Sequence, residues 1–434
     1  MATCMPHADG AAAMPQSGTE KGEWIVPVEG FPQSIVAADG VSFVLAGSFG
    51  VINDSFGGVA VDPPSPTLVL ARVGATGGVE WVRSIGATSG GSARLQATED
   101  GLLLLVTGVD LTVDGTAPTA AADLELTASN PQVAIARISF AGVVQSVTSF
   151  AQAASDLLVD GFQVDAAGAA HALLRGTGLE TWGTARECVV LSRFSAAGTE
   201  SFSRCVNVAG TLFEARLSVD PNGNSYVSGF PGGAVDLGAG TIEVDASAGG
   251  SLLAKIDADA NTVWDGAVLR TYAKTLLATP DERLFISGNL PQTTAANGLV
   301  QVIEQTYLPC DDGLPYQLSA IGGDGTHEWS RAYGNRVEFL ALSGDEIFFR
   351  FQGVDEALGD LASGLPAAGS RLVGAVAQET GAVRWVQSGL GAEAAASAPG
   401  GGWFAAGYLE NPIDWKGETI TPAGTHGYVA RFAP

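Results

Sequence analysis

Short apolar runs, some alternating and some continuous, recur from Trp24 onward, and clusters of Gly, Asn, Asp and Pro separate them. The clearest stretch is residues 217–264, where LSVD and SYVSGF flank a Pro-Asn-Gly-Asn turn, and SLLAKIDADANTVW follows a Gly-rich loop. Asn222, Gly223 and Asn224 supply the positive φ that a tight hairpin needs, and the second run has the same hairpin character. One four-stranded antiparallel unit is predicted, with strands A and B in the first hairpin and C and D in the second.

The second hairpin sets a ruler for the rest of the chain. Lys255 is followed by a turn residue at Ala260 and by Trp264, and the same offsets hold for Arg72, Gly77 and Trp81, and for Arg137, Gly142 and Ser146. They hold again for Arg193, Gly198 and Phe202, for Ala320, Gly325 and Trp329, and for Val376, Gly381 and Trp385. Successive positions 81, 146, 202, 264, 329 and 385 are 65, 56, 62, 65 and 56 residues apart, a period that suits a four-stranded propeller blade with variable loops. After Trp385 the chain supplies only three strands, with Arg431 in the Arg/Lys position, while GEWIVPV at 22–28 reads as an isolated Trp-bearing strand. A first strand that completes the last blade removes an exposed sheet edge. The expected fold is therefore all-β: a seven-bladed β-propeller of four-stranded antiparallel blades, closed by the strand at about residues 22–28. Residues 1–22, small, polar and aperiodic, are expected to be a flexible tail, and 23–434 a single propeller domain.

The unit hxVDPxGNxYVSG, then VDLG, then LLAKIDADxxxxW, resembles the seven-bladed SBBP-type repeats of bacterial surface and secreted proteins, best within residues 217–264. The resemblance implies a propeller in an extracytoplasmic setting and no defined catalytic residues. Ser146 and Phe202 depart from its Trp, and the fifth unit carries a long insertion.

Composition narrows the function classes. With 46 acidic against 21 basic residues the net charge is −25, which repels phosphate backbones and anionic lipid and argues against nucleic acid or membrane partners. No apolar run reaches the length of a transmembrane helix. The N-terminus lacks the basic and continuous apolar regions of a secretory signal, so the chain is either cytoplasmic or supplied without its signal.

Four cysteines occur, and Cys188 and Cys205 flank a C–D turn so that a cross-strand disulfide or two buried thiols are both open readings. A disulfide would favour an oxidising compartment, either extracellular or in the cell envelope. The histidines share no metal-ligand spacing. Asp257, Asp259 and Asn261 have oxygen ligands at alternate positions, yet the rest of a calcium loop is missing, so a metal site is not expected and calcium is only weakly supported.

Binding is expected at the loops between strands B and C. Asp54, Asp236 and Asp414 occupy similar B–C positions, where they either ring one face with negative charge or cap their own turns. The longest B–C excursion, 289–317, adds Tyr307, Asp311, Asp312 and Tyr316. Nucleophile elbows, zinc-protease helices and phosphate-binding loops are absent. The reading is a monomeric, non-catalytic binding or scaffold propeller with a protein or carbohydrate partner. A propeller lyase or glycosidase with dispersed carboxylates is the alternative, and a purely structural surface protein is the third.

Overall fold

Trp24–Val28 pairs antiparallel with Gly427–Phe432, Trp24 opposite Arg431, so the first described strand completes the last sheet. The protein is described here by a computed structural model. It covers most of residues 23–432; outside the description lie 1–22, 48–54, 61–67, 114–123, 127–131, 243–249, 290–315, 353–370, 422–426, 433–434 and short breaks in turns. The tail expected at 1–22 thus lies outside the described residues. No helix occurs among the described residues, and none is long and apolar enough to cross a membrane.

The strands form the seven four-stranded antiparallel blades of a β-propeller, each named A to D in sheet order. Blade 1 uses Phe31–Ala38, Val41–Gly47, Leu68–Val73 and Val79–Gly86, and blade 2 uses Ser89–Ala97, Leu102–Val109, Gln132–Ile138 and Val144–Gln152. Blade 3 uses Ser155–Val164, Ala170–Thr177, Val190–Phe194 and Glu200–Cys205. Blade 4 is Leu212–Val219, Ser225–Pro231, Gly250–Ile256 and Thr262–Leu269. Blade 5 takes Tyr272–Ala278, Leu284–Asn289, Tyr316–Ile321 and His327–Tyr333, and blade 6 takes Val337–Ser343, Glu346–Gln352, Arg371–Ala377 and Val383–Ser388. Leu390–Ser397, Trp403–Leu409 and Gly427–Phe432, with Trp24–Val28 as its D strand, make blade 7. The chain divides into two compact units: one comprises 1–15, 163–174 and 188–388, the other 16–162, 175–187 and 389–434.

In the first unit, blade 4 shows why its strands read as apolar on both faces. Leu217, Val227, Leu252 and Ala254 pack toward Leu173, Leu191 and Val206 of blade 3, whereas Tyr226, Leu253 and Trp264 pack with Leu276, Leu284 and Ile286 of blade 5. Alternate side chains of these strands therefore serve two interfaces. The second unit repeats the arrangement, with Leu68, Leu70 and Ile85 of blade 1 against Leu95, Leu104 and Ala136 of blade 2. Val28, Phe404 and Val429 of blade 7 pack against Ile35, Val44 and Val69 of blade 1.

The sequence ruler has a physical origin. Gly77, Gly142, Gly198, Ala260, Gly325 and Gly381 all have positive φ, 65–88°, so the repeated turn position is left-handed and favours glycine. The Trp position directly faces the Arg/Lys position in Arg72↔Trp81, Lys255↔Trp264, Ala320↔Trp329 and Trp24↔Arg431. One hairpin differs from expectation: Trp385 faces Ala375, not Val376, because the Ala377–Gly381 turn closes one residue wider than its counterparts.

Four of these Trp also reach the following blade. Trp24 donates its indole N–H to Ala75 O at 2.8 Å, Trp81 to Phe140 O at 3.2 Å, Trp264 to Gly323 O at 3.0 Å and Trp329 to Gln378 O at 3.1 Å. All four acceptors belong to C–D turns. Where Phe202 lacks an N–H, Arg204 donates to Ala260 O instead. A cation completes the row: Lys255 Nζ lies 5.6 Å from the Tyr226 ring centroid and Arg431 lies over Phe404.

A strands are joined by side chains that satisfy the backbone of the next A strand. Gln163 accepts from the Val219 N–H at 2.6 Å, Ser218 from Ala278 at 2.8 Å and Thr275 from Phe339 at 3.2 Å. Two B–C excursions cover D-strand edges that would otherwise be open. Leu111–Val113 adds to the D strand of blade 1, and Leu179–Thr181 to that of blade 2.

Candidate functional site

A constellation with the residue types of nucleophilic catalysis, His with Ser and Asp, lies inside the first unit. Strand B of blade 3 places His171 opposite Arg193, the register that Tyr226 and Lys255 share in blade 4. His171 Nε2 lies 3.3 Å from Asp165 Oδ2, its Nδ1 lies 2.9 Å from Ser225 Oγ, and Arg193 donates to Asp165 Oδ2 at 2.9 Å. Asp165 Oδ1 meanwhile accepts the N–H groups of Ala167 and Ala169, closing the A–B turn. Burial alone would raise the Asp165 pKa, but hydrogen bonds from His171, Arg193 and the Ala169 amide hold it at about 2. Burial pushes His171 below the usual imidazole range in spite of Asp165, so the ring is neutral near pH 7. His171 and Ser225 are fully buried, so the serine hydroxyl meets no solvent and the cluster serves as a joint between blades 3 and 4. Its members are up to 60 residues apart (225 − 165), and only the repeat frame, which equates His171 with Tyr226, points to them.

The Asp-rich turns are likewise occupied by their own backbone. Asp257 Oδ1 accepts from Asp259 N at 3.0 Å and Asn261 N at 2.7 Å, and Asp220 does the same for Asn222 and Asn224. Among the described residues no group of three His, Cys, Asp or Glu is arranged to hold a metal ion.

Cys188 and Cys205 are joined by a disulfide, with Cα atoms 5.6 Å apart. Cys205 directly faces Val190, so the bond runs diagonally across the pair, not straight across as the turn midpoint predicts. The five-residue turn 195–199 and the bulged Ser201 account for the difference.

At the B–C end, Asp236 sits in a short hairpin, Val235–Asp236 with Thr241–Ile242. Its Oδ1 accepts from the Gly238 N–H at 2.7 Å, so it caps its own turn. The same loop brings in Asp265 from strand D, whose Oδ2 accepts from the Ala239 N–H at 3.3 Å. Burial, with the Asp236 charge added to it, raises the Asp265 pKa. Asp414 lies in the hairpin strand Ile413–Trp415, opposite Thr419. Asp54, Tyr307, Asp311 and Asp312 lie outside the described residues.

Tyr316 opens strand C of blade 5, where the 290–315 excursion rejoins the sheet. Register pairs Tyr272 with Asn289, Asn289 with Tyr316, and Tyr316 with Tyr333. These four positions form one cross-strand row at the B–C end. The equivalent end of blade 4 holds Leu212, Pro231, Gly250 and Leu269, so blade 4 lacks such a row.

No family model matches the chain, and no curated protein matches it. Solved structures do. A quinohemoprotein alcohol dehydrogenase from Pseudomonas putida is 10% identical, with 94% of this chain and 75% of that one covered and a TM-score of 0.45. YCF48 bound to a D1 peptide is 10% identical over 98% and 99% of the chains, TM-score 0.42. A polysaccharide lyase, the PL25 ulvan lyase, is 10% identical over 89% and 95%, TM-score 0.45. Their functions differ, and the propeller assignment rests on the strand pairing given above.

Proposed function

We propose that the protein is a non-catalytic binding or scaffold propeller of the extracellular space or cell envelope, which takes a protein or carbohydrate partner through the B–C end of blade 5. The supporting observation is the row Tyr272, Asn289, Tyr316 and Tyr333 at the root of the 290–315 excursion. Aromatic side chains with polar tips are what binding surfaces concentrate. The polar groups of the His171 and Asp220 clusters are committed to a blade joint and a turn. In this reading Tyr307, Asp311 and Asp312 of the excursion add recognition chemistry, and Asp236 adds negative charge that favours cationic groups. The Cys188–Cys205 disulfide supports the extracytoplasmic setting.

The test replaces residues 290–315 with a short Gly-Ser linker and compares binding of calcium, cationic peptides and oligosaccharides by calorimetry. Loss of a wild-type ligand on replacement, with unfolding unchanged, supports the site; binding that survives replacement rejects it. No ligand for the wild type favours a purely structural role.

A paired-carboxylate enzyme is the second reading, favoured by Asp265, whose burial beside Asp236 raises its pKa in the direction a general acid needs.

A further inference from the structure

The A strands carry a repeated irregularity. Register shifts fall at Pro32/Ser34, Ser89/Ser92, Phe213/Arg216, Ala273/Thr275, Phe339/Ala341 and Ala392/Ala394, in six of the seven blades. Bulges of this kind re-aim side chains away from the sheet's regular faces. Blade 4 has a two-residue form, and there Glu214 adopts φ 45°. That left-handed conformation is free of penalty for glycine and strained for glutamate.

Exposed chemistry coincides with the strain. Phe213, the preceding residue, is 45% exposed and pairs in register with Phe230. Glu214 Oε2 lies 3.4 Å from Lys274 Nζ, and Lys274 is itself the bulged residue of blade 5. Arg216 ties the two bulges together, donating from Nε to Lys274 O at 3.2 Å and from a terminal nitrogen to Ala215 O at 2.9 Å. Lys274 is two residues along its strand from Tyr272, the first member of the tyrosine row.

We propose that Phe213, Glu214 and Lys274 form a glycan-binding subsite for a neutral, β-linked pyranose with equatorial hydroxyls. The flat C–H face of such a sugar lies on the Phe213 ring, while adjacent hydroxyls donate to the Glu214 carboxylate and accept from the Lys274 ammonium. Each charge already has its counter-charge, so a purely ionic ligand gains little, whereas a neutral ligand that both donates and accepts fits the pair. The net charge of −25 disfavours a polyanionic glycan. This subsite rests on the binding reading above and names its ligand class.

The experiment titrates cellohexaose into the full chain and three variants by calorimetry, with thermal unfolding followed in parallel. Wild type binds, and Phe213→Ala weakens binding roughly tenfold or more, as loss of an aromatic anchor does. Glu214→Gly relieves the backbone strain, so it unfolds at the same or a higher temperature while binding falls; a merely structural Glu214 would leave binding unchanged. Should Phe213→Ala fail to fold, Glu214→Gly alone decides. Absence of wild-type binding overturns the proposal. Binding lost in Tyr316→Ala but intact in Phe213→Ala and Glu214→Gly also overturns it, and leaves the tyrosine-row reading standing.

Discussion

Trp264, on the D strand of blade 4, donates its indole N–H to the carbonyl of Gly323 in the C–D turn of blade 5, 3.0 Å away. Lys255 donates to the same oxygen from strand C. Two positions that repeat along the sequence therefore meet on one acceptor. Trp264→Phe keeps most of the buried area and removes the donor, so it should cost about 1–2 kcal/mol, read as a shift in the urea midpoint. An unchanged midpoint would show that the joint is held by packing alone.

Acid should loosen the joint between blades 3 and 4. His171 is neutral when folded, and in the unfolded chain it takes a proton near its ordinary pKa of 6.5. Its contribution is thus present above that value and lost as pH falls below it. Asp165, depressed from 3.8 to about 2, contributes stability present above 3.8 and lost as pH falls toward 2. The Asp165 share is about 2 kcal/mol. Asp220 and Arg193 also act on the ring, in opposite directions. His171→Gln, which keeps hydrogen-bonding groups, should flatten the loss between about pH 7 and 5 and leave the more acidic limb in place. Parallel pH profiles for variant and wild type would rule out this role for His171.

Reduction should weaken blade 3. The Cys188–Cys205 bond closes a loop of sequence separation 17, for which loop-closure entropy contributes about 3 kcal/mol. Unfolding with and without dithiothreitol measures it, and Cys188→Ser/Cys205→Ser should match the reduced protein. Equal stability in both conditions would contradict the estimate.

Gly407 has no room for a side chain. A Cβ there would stand 1.9 Å from the Gly391 carbonyl oxygen, a backbone atom in the paired strand of blade 7. Gly407→Ala should therefore destabilise by more than about 3 kcal/mol. Wild-type thermal stability in this variant would mean that blade 7 repacks.

Much of the fold was legible because its markers repeat at fixed offsets. The left-handed turn residue and the Trp four positions on survive in hairpins with little else in common, and the pairing of Trp24 with Arg431 follows the same rule. Register within a single hairpin was less legible: in blade 6 one extra turn residue moves Trp385 from Val376 to Ala375, and in blade 3 the five-residue turn and the bulged Ser201 tilt the disulfide off the straight cross-strand line. Contacts between blades were not legible. The acceptor of Trp264 lies 59 residues away and that of Arg193 lies 65 away, and no local pattern announces either. The long excursion after Asn289 was legible as an insertion, but the row that Tyr272 and Tyr333 complete depends on pairing across four strands. Nor does any composition signal mark the strained Glu214, because its conformation comes from a bulge.

The central claim is that the first described strand is the fourth strand of blade 7. Val26 directly faces Val429 in that pairing. Val26→Cys/Val429→Cys, oxidised and read by mass spectrometry of proteolytic fragments, should yield a cross-linked peptide joining the two ends of the chain, and the oxidised protein should unfold later than the reduced one. Absence of that cross-link, together with unaltered unfolding when residues 23–28 are deleted, would contradict the closure.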